Sequence, residues 1–297
     1  MSMSSNLEHS LVLGGQNGLY RVETERGTLS CRSATKIRKD GCKLMAGDRV
    51  TVEDNEDGTG FVRAVEPRVN SLVRPPVANV GLLVIVAAAD HPKPLPFNID
   101  KLTVIAEKEK IPVAIVVSKS ELGDSEHLSE IYADTPYPVF RVSDYGSDGT
   151  AGLLEAMSGK TTVFCGASGV GKSTLLNKLF PFLNAEVGEL SEKIARGKNT
   201  TRTTSLFRVA EQTYVADTPG FTMLETGMYC KIDKKELISL FPEMEPYAAT
   251  CRYSHCTHLC EDGCGVVGAV AEGKIRKERH ESFKRLYEEL KAFDPYK

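Results

Sequence analysis

The stretch Gly166-Ala167-Ser168-Gly169-Val170-Gly171-Lys172-Ser173 decides the fold of this chain. It fits the spacing G-x-x-x-x-G-K-[ST], in which glycines let the backbone approach phosphate oxygens and turn its N–H groups inward. The run from Thr161 to Cys165 predicts a strand before the motif, and Thr174 to Leu179 begins a helix whose positive N-terminal end also favours phosphate. This context favours a phosphate-binding loop (the P-loop, residues 166–173) over a glycine-rich turn without a ligand.

The P-loop motif predicts the functions of its side chains. Lys172 is expected to contact the β- and γ-phosphates of a nucleotide, and Ser173 to ligate Mg²⁺. The residues of this segment that we expect to bind the nucleotide are Gly166, Ala167, Ser168, Gly169, Val170, Gly171, Lys172, Ser173 and Thr174.

A second motif, Asp217-Thr218-Pro219-Gly220, follows a short predicted strand about 45 residues later. Downstream of a P-loop, Asp217 is expected to hold Mg²⁺, and the Gly220 N–H to sense the γ-phosphate. Between the two motifs lies a Thr-rich loop, residues 196–204, which includes Asn199 and the pair Thr200-Thr201. Such a loop either supplies a hydroxyl to Mg²⁺ or is a simple polar loop.

A loop that could recognise guanine lies upstream of the P-loop, not downstream. After the buried run Ile115–Val117 come Ser118, Lys119, Ser120 and Glu121, which we call the base loop. A carboxylate here can accept from guanine N1–H and the exocyclic amine, and a lysine stem can cover the base. A second loop, with Val142 and Ser143, could touch the base from the other side. The motifs then stand in a circularly permuted order.

The rest of the chain predicts two further regions around this α/β core, in which strands and helices alternate from Val80 onward. Residues 1–70 contain closely spaced short strands with Gly and Asn turns, which predict a small β-barrel. Within them, residues 31–49 hold six basic groups and two acids, typical of a loop that tracks a phosphate backbone or of a solvated loop. Residues 67–79 contain three prolines and predict a linker.

Composition excludes several classes of protein. Of the 297 residues, 41% are hydrophobic and 26% charged, which is typical of globular proteins and unlike disordered or fibrous ones. No apolar run approaches the ~18 residues of a spanning helix, and residues 1–10 do not resemble a secretory signal. We therefore expect a cytoplasmic protein without a membrane partner. The net charge of −3 does not by itself indicate a nucleic-acid partner.

The eight cysteines are unevenly distributed, and four of them lie in a segment that also contains two histidines. In a reducing compartment such a cluster indicates metal before disulfides. The six potential ligands are Cys251, His255, Cys256, His258, Cys260 and Cys264. Tetrahedral zinc needs four, and spacing alone leaves the choice open. The basic residues 273–280 that follow could contact RNA or form a solvated helix face, and residues 282–290 place Phe283, Leu286, Tyr287 and Leu290 on one apolar helix face.

These motifs and their order resemble the RsgA (YjeQ) family of circularly permuted GTPases of small ribosomal subunit biogenesis. The resemblance covers nearly the whole chain and rests on residues 74–80 (R-P-P-V-A-N-V), 166–174, 196–202, 217–221 and the Cys/His segment. It implies hydrolysis of GTP to GDP and phosphate in late 30S maturation, stimulated by the subunit, with the 30S subunit and its 16S rRNA as partners. We also expect a monomer.

The resemblance further implies three domains and a zinc ligand set. The domains are an OB-fold over 1–70, a permuted P-loop GTPase domain over 71–227 and an α-helical zinc-binding domain over 228–297. The family pattern C-x4-C-x-H-x5-C selects Cys251, Cys256, His258 and Cys264, which we call the Cys/His cluster, for one structural zinc.

This chain departs from the family at three positions. Ser118 stands where the family usually has Asn, Glu121 where it has Asp, and Asn199 where it has a His proposed to assist hydrolysis. Phe221 occupies the position of the water-orienting Gln of Ras-like enzymes, so we expect slow intrinsic hydrolysis. Two alternatives stay open: an ATP-dependent P-loop enzyme, and an RNA-binding module that nucleotide stabilises without significant turnover.

Overall fold

The computed structural model describes residues 6–34, 37, 43–143, 146, 149–182, 204–217 and 232–292. The strands, in chain order, are β1 (Asn6–Gln16), β2 (Leu19–Thr24), β3 (Gly27–Ser33), β4 (Arg49–Asp54), β5 (Thr59–Val65), β6 (Ser71–Leu72), β7 (Val77–Ala78), β8 (Leu82–Ala88), β9 (Val113–Ser118), β10 (Val139–Val142), β11 (Thr161–Cys165), β12 (Ser205–Ala210) and β13 (Thr213–Asp217). The α-helices are α1 (Pro96–Lys108), α2 (Ser125–Ile131), α3 (Thr150–Met157), α4 (Lys172–Leu179), α5 (Glu245–Ala248), α6 (Gly265–Ala271) and α7 (Lys277–Ala292), and a 3₁₀ turn spans Leu237–Leu240.

The chain divides into two compact units, of which the first comprises the described parts of Met1–Leu82, Met157–Phe164 and Leu176–Phe221. Strands β1–β5 form a barrel in the order β1-β2-β3-β5-β4, and β4 pairs back with β1. Alternating apolar side chains fill it, including Val12, Val22, Val50, Val52 and Val62. The predicted N-terminal barrel is therefore confirmed. In the same unit, the β12–β13 hairpin pairs with β1 through β12 and with β11 through β13.

The proline-rich residues 67–79 are not the loose linker that their composition predicts. They carry the paired strands β6 and β7, and Leu72, Val77 and Ala78 are buried. Asn79 Nδ2 donates to Gly47 O (2.9 Å), and at Gly47 a Cβ would lie 2.0 Å from the Ala78 carbonyl oxygen. The Asn79 bond and the bond from the Ala78 N–H to Ala46 O (2.8 Å) hold the segment against the barrel, because they satisfy polar groups that a free linker would leave to water.

The second unit comprises the described parts of Leu83–Ala156, Cys165–Leu175 and Thr222–Lys297. Its strands run parallel in the order β10-β9-β8, and β8 and β9 are buried throughout. Strands that are buried along their whole length need cover on both faces, as in doubly wound α/β folds. Ser118 pairs with Val142 in register, so the loops after β9 and β10 leave the same carboxyl edge, where ligands bind in such sheets.

The C-terminal helices pack as one apolar cluster in this unit. Phe283, Leu286 and Leu290 of α7 are buried with Phe241 and Met244, and Val104 of α1 belongs to the same cluster. The predicted apolar face of α7 is confirmed. Among the described residues, no helix is both long enough and apolar enough to cross a membrane.

Candidate functional site

The P-loop follows β11 directly and turns into α4 through glycines in conformations that other residues disfavour. Gly166, Gly169 and Gly171 have φ of 140°, 79° and 92°. At Gly166 a Cβ would lie 2.1 Å from the Val86 carbonyl oxygen, so the strand edge leaves no room for a side chain. The motif spacing therefore reflects both the turn and its close contact with β8.

The polar side chains of the P-loop are accessible. Ser168, Ser173 and Thr174 are exposed, whereas Val170 is buried and anchors the loop. Lys172 Nζ donates to Gly166 O and to Ala167 O, both at 2.7 Å. Partial burial lowers the pKa of Lys172 from its ordinary value. The ammonium group is thus already located at the loop that is to receive phosphate.

The base loop lies beside the P-loop. Lys119 Nζ donates to Gly169 O at 2.9 Å and to His91 O at 2.6 Å. Ser118 is buried, and its Oγ donates to Val170 O at 2.5 Å. Two consecutive residues of the base loop thus bind carbonyls of two consecutive P-loop residues.

The second predicted base-contacting loop is adjacent to the first, since Ser120 N donates to Val142 O at 3.2 Å. Ser143 follows directly, and Glu121 is exposed. The structure therefore brings together the predicted nucleotide-binding segments 118–121, 142–143 and 166–174.

The remaining predicted residues of the nucleotide site are only in part within the described chain. Asp217 ends β13 opposite Ser205. Gly220, Asn199, Thr200, Thr201 and Phe221 lie outside the described residues.

The Cys/His cluster gathers four side chains. The ligand atoms of Cys251, Cys256, His258 and Cys264 all lie within 4.8 Å of one another. Cys251 Sγ lies 3.8 Å from Cys264 Sγ, and His258 Nδ1 lies 3.4 Å and 3.6 Å from these two sulfurs. With Zn–S of about 2.3 Å and Zn–N of about 2.0 Å, a tetrahedron requires S···S of about 3.8 Å and S···N of about 3.5 Å. The four residues fit a zinc ion that they would enclose completely.

Neighbouring groups orient these ligands. The Gly265 N–H donates to Cys251 Sγ (3.3 Å) and the Val267 N–H to Cys264 Sγ (3.5 Å), which favours thiolates. His280 Nε2 lies 2.7 Å from His258 O. Cys260 is exposed and His255 is also exposed; neither belongs to the cluster.

Glu261 holds the loop that carries His258 and lies between the ligands Cys256 and Cys264. Its carboxylate accepts from the N–H groups of Thr257 (2.6 Å), Leu259 (3.0 Å) and Cys260 (3.2 Å), and from the Thr257 hydroxyl. Burial opposes ionisation, but these hydrogen bonds outweigh it and lower the pKa of Glu261 to about 2. Sequence reasoning missed both Glu261 and His280, because neither residue belongs to the ligand pattern.

The basic residues 273–280 do not form a uniform cationic surface. Lys277 is exposed, but Arg279 and His280 are buried, and Arg279 forms ion pairs with Asp100 and Glu243. The expectation that this whole stretch could face RNA is wrong for Arg279 and His280, since both residues are buried.

A barrel, an α/β sheet with a P-loop beside a base loop, and a Cys₃His cluster together define a multidomain P-loop nucleotide hydrolase with permuted motifs. Two family models match the chain: the RsgA N-terminal domain over residues 11–62 and the RsgA GTPase over residues 65–227. The chain belongs to the RsgA GTPase family and is a GTP hydrolase.

Relatives and solved structures agree with this family. The chain is 37% identical to the small ribosomal subunit biogenesis GTPase RsgA of Alkaliphilus metalliredigens over 94% of this chain and 97% of the relative. It is 38% identical to the protein of the same name from Moorella thermoacetica, over 93% and 94%. The crystal structure of YjeQ from Thermotoga maritima matches with a TM-score of 0.82 at 32% identity, covering 96% of this chain and 99% of that one. The crystal structure of YloQ, a circularly permuted GTPase, matches with a TM-score of 0.80 at 27% identity, covering 99% of each chain. The resemblance seen in the motif order is therefore confirmed.

Proposed function

We propose that this GTPase acts in late maturation of the 30S ribosomal subunit, and that the subunit stimulates its hydrolysis of GTP to GDP and phosphate. The observation that carries the nucleotide chemistry is the contact of Lys119 with Gly169, which joins the base loop to the P-loop. The ribosomal role is supported by relatives named small ribosomal subunit biogenesis GTPases, which match over almost the whole chain. We expect 16S rRNA as the contact, and a cytoplasmic monomer as the acting form.

The P-loop holds the phosphates in this proposal. Its N–H groups and Lys172 contact the β- and γ-phosphates, which requires the ammonium group to exchange the Gly166 and Ala167 carbonyls for phosphate oxygens. The Gly220 N–H contacts the γ-phosphate. Ser173, Asp217 and a hydroxyl of Thr200 or Thr201 would hold Mg²⁺, which would neutralise phosphate charge when bound with the nucleotide.

Neither Asn199 nor Phe221 supplies a general base for hydrolysis. Asn199 has no titratable proton near neutral pH but can orient water by hydrogen bonding. Phe221 is apolar and cannot take the role of a water-orienting glutamine. We therefore assign the missing stabilisation to groups that become ordered on the 30S subunit.

The Cys/His cluster holds one zinc ion in a structural role. Cys251, Cys256, His258 and Cys264 offer four ligands, so no coordination position stays open for water or substrate. The three-domain division at residues 70 and 227 accompanies this proposal, with the barrel and the zinc-binding domain as the parts that contact rRNA.

Single-turnover hydrolysis with and without 30S subunits tests the proposal. We expect GTP hydrolysis to be slow alone and at least tenfold faster with the subunit, and ATP to be a poor substrate in both cases. Equal rates with and without subunits would contradict the ribosomal role. Equal use of ATP would favour the ATP-dependent alternative, and no phosphate release in any mixture would favour the RNA-binding module.

A further inference from the structure

The hydroxyl group of Ser118 is committed to the protein itself. Ser118 has 6% of its surface exposed, and its Oγ lies 2.5 Å from Val170 O and 3.2 Å from Ala87 O. Both neighbours are main-chain carbonyls, which only accept hydrogen bonds, and a serine hydroxyl has one proton to donate. The shorter distance indicates that the Ser118 hydroxyl donates its hydrogen bond to Val170 O.

The hydrogen bond to Val170 O ties the P-loop to the base loop. The Val170 side chain is 3% exposed, and the next residue, Gly171, begins the turn into α4, where an added Cβ would lie 3.8 Å from Ser118 Oγ. Lys119 holds the preceding carbonyl, that of Gly169, at 2.9 Å. Carbonyls that are bonded outward leave the N–H groups of the loop free to turn inward, as phosphate binding requires.

A purine base presents acceptors on the edge that carries N7, and guanine has both N7 and O6 there. To read N7, a protein group at this site must donate a proton. An Asn side chain at position 118 has two amide protons and could serve both the P-loop and a base, whereas Ser118 has one. The carboxylate of Glu121, which only accepts when ionised, is suited to the opposite edge with its N1–H and amine.

We propose that Ser118 is a positioning residue for the P-loop and makes no contact with the base, so that this enzyme binds guanine nucleotides without regard to N7. The substrate class that the site accepts then includes 7-deazaguanine nucleotides. This inference rests on the proposed role of residues 118–121 in base binding. Its test distinguishes failure of the inference from failure of that proposed role.

The test is competition of GTP and 7-deaza-GTP against a fluorescent GDP analogue, with the full-length protein and three variants at position 118. For the unmodified protein we expect the two affinities to agree within about twofold. Ser118→Ala should weaken both nucleotides by the same factor, about fivefold, because one net hydrogen bond of about 1 kcal/mol to the loop is lost. Ser118→Thr keeps the hydroxyl and should restore binding of both. Ser118→Asn adds a donor and should make GTP bind several-fold more tightly than 7-deaza-GTP.

Two results would overturn the inference. One is a preference of the unmodified protein for GTP over 7-deaza-GTP that Ser118→Ala removes, since the serine would then read the base. The other is an Ser118→Ala variant that folds, as judged by thermal unfolding, and binds both nucleotides as tightly as before. Glu121→Ala tests the base loop separately: unchanged selection of GTP over ATP in that variant would contradict the role of residues 118–121 in base recognition while leaving the Ser118–Val170 contact intact.

Discussion

Arg279 and Asp100 form an ion pair that solvent does not reach: Arg279 Nη1 lies 2.6 Å from Asp100 Oδ1, and the side chains are 1% and 0% exposed. Glu243 completes the arrangement, because its Oε1 lies 2.8 Å from Arg279 Nε. The guanidinium also lies 4.6 Å from the centre of the Phe241 ring. One cation on α7 thus joins α1 to the start of the C-terminal helical region.

Replacing Arg279 by alanine should strongly destabilise this unit. The change leaves two buried carboxylates without their counter-ion, and breaking such a pair costs about 3–5 kcal/mol. Chemical denaturation followed by far-UV circular dichroism measures the loss. Lys277→Ala is the matched control on the same helix: Lys277 is 79% exposed and pairs only with Glu281 in the described chain, so its loss should cost less than about 0.5 kcal/mol. Equal effects of the two changes would argue against a special role for the buried pair.

The burial of Arg279 could not be predicted from the sequence. Residues 273–280 are basic, and nothing local distinguishes Arg279 from its exposed neighbours. Its partners lie 179 and 36 residues away in the sequence. Local composition cannot detect a buried ion pair, whereas the apolar spacing of Phe283, Leu286 and Leu290 is local and predicted their helix face correctly.

At the nucleotide site and in the barrel, too, local patterns could be predicted from the sequence and contacts between distant residues could not. The P-loop was predictable because glycine spacing, a strand and a helix start all lie within about 20 residues. The outward bond of Ser118 was not, because its partner Val170 is 52 positions away. The linker predicted over residues 67–79 is wrong for a similar reason: the prolines are local, but the segment is bound by Asp48 and Gly47, which are distant in the sequence.

Loss of one cluster cysteine should remove the metal. Cys256→Ser leaves three strong ligands and should lower the zinc content from about one per chain to near zero, because a structural tetrahedral site needs all four. The C-terminal region should then become sensitive to protease, since metal binding and folding are coupled in such sites. Zinc is measured by atomic emission on purified protein. Cys260→Ser is the control, since Cys260 is exposed and outside the cluster, and its zinc content should be unchanged. A zinc-free unmodified protein would contradict the proposed metal.

Removal of the P-loop ammonium should abolish most turnover. Lys172→Ala should lower the rate of GTP hydrolysis on the 30S subunit by about 10²–10³, the scale for losing one pre-positioned electrostatic group. Lys178→Ala changes a lysine in the last turn of the same helix and should leave the rate within twofold. Phosphate release is the readout. Full activity of the Lys172→Ala enzyme would contradict the proposed contact of Lys172 with the phosphates.

The first glycine of the P-loop should tolerate no side chain. Gly166→Ala places a Cβ 2.1 Å from Val86 O and demands φ of 140° from a residue that disfavours it, so GTP binding should be lost. Gly268→Ala gives the contrasting result expected of a helical glycine with open space around it. That variant should be more stable by about 0.5–1 kcal/mol, since alanine favours the interior of α6. Titration of GTP and thermal unfolding of both variants check the pair. Normal GTP affinity in Gly166→Ala would show that β8 can move away from the loop.

Breaking the contact between Asp48 and Arg68 should release residues 67–79 from the barrel. Asp48 is fully buried; its Oδ1 lies 2.6 Å from Arg68 Nε and its Oδ2 lies 2.9 Å from Arg68 Nη2. The same carboxylate accepts from the Met45 N–H at 2.8 Å. Asp48→Ala therefore leaves the Met45 N–H without its acceptor and removes the carboxylate that pairs with the partly buried Arg68 guanidinium, which keeps its hydrogen bond to Lys43 O at 2.8 Å. The change should cost about 3 kcal/mol.

Limited proteolysis with mass spectrometry locates the effect of Asp48→Ala, and we expect new cleavage within residues 67–79, because the segment loses its charged anchor while the barrel core of Val50, Val52 and Val62 stays intact. Glu25→Ala alters an exposed acid on a barrel turn and should leave both the stability, within about 0.5 kcal/mol, and the cleavage pattern unchanged. If Asp48→Ala instead exposes cleavage sites throughout the barrel, then this carboxylate stabilises the barrel itself. The segment would in that case be held by the Asn79–Gly47 contact and the burial of Leu72 and Val77.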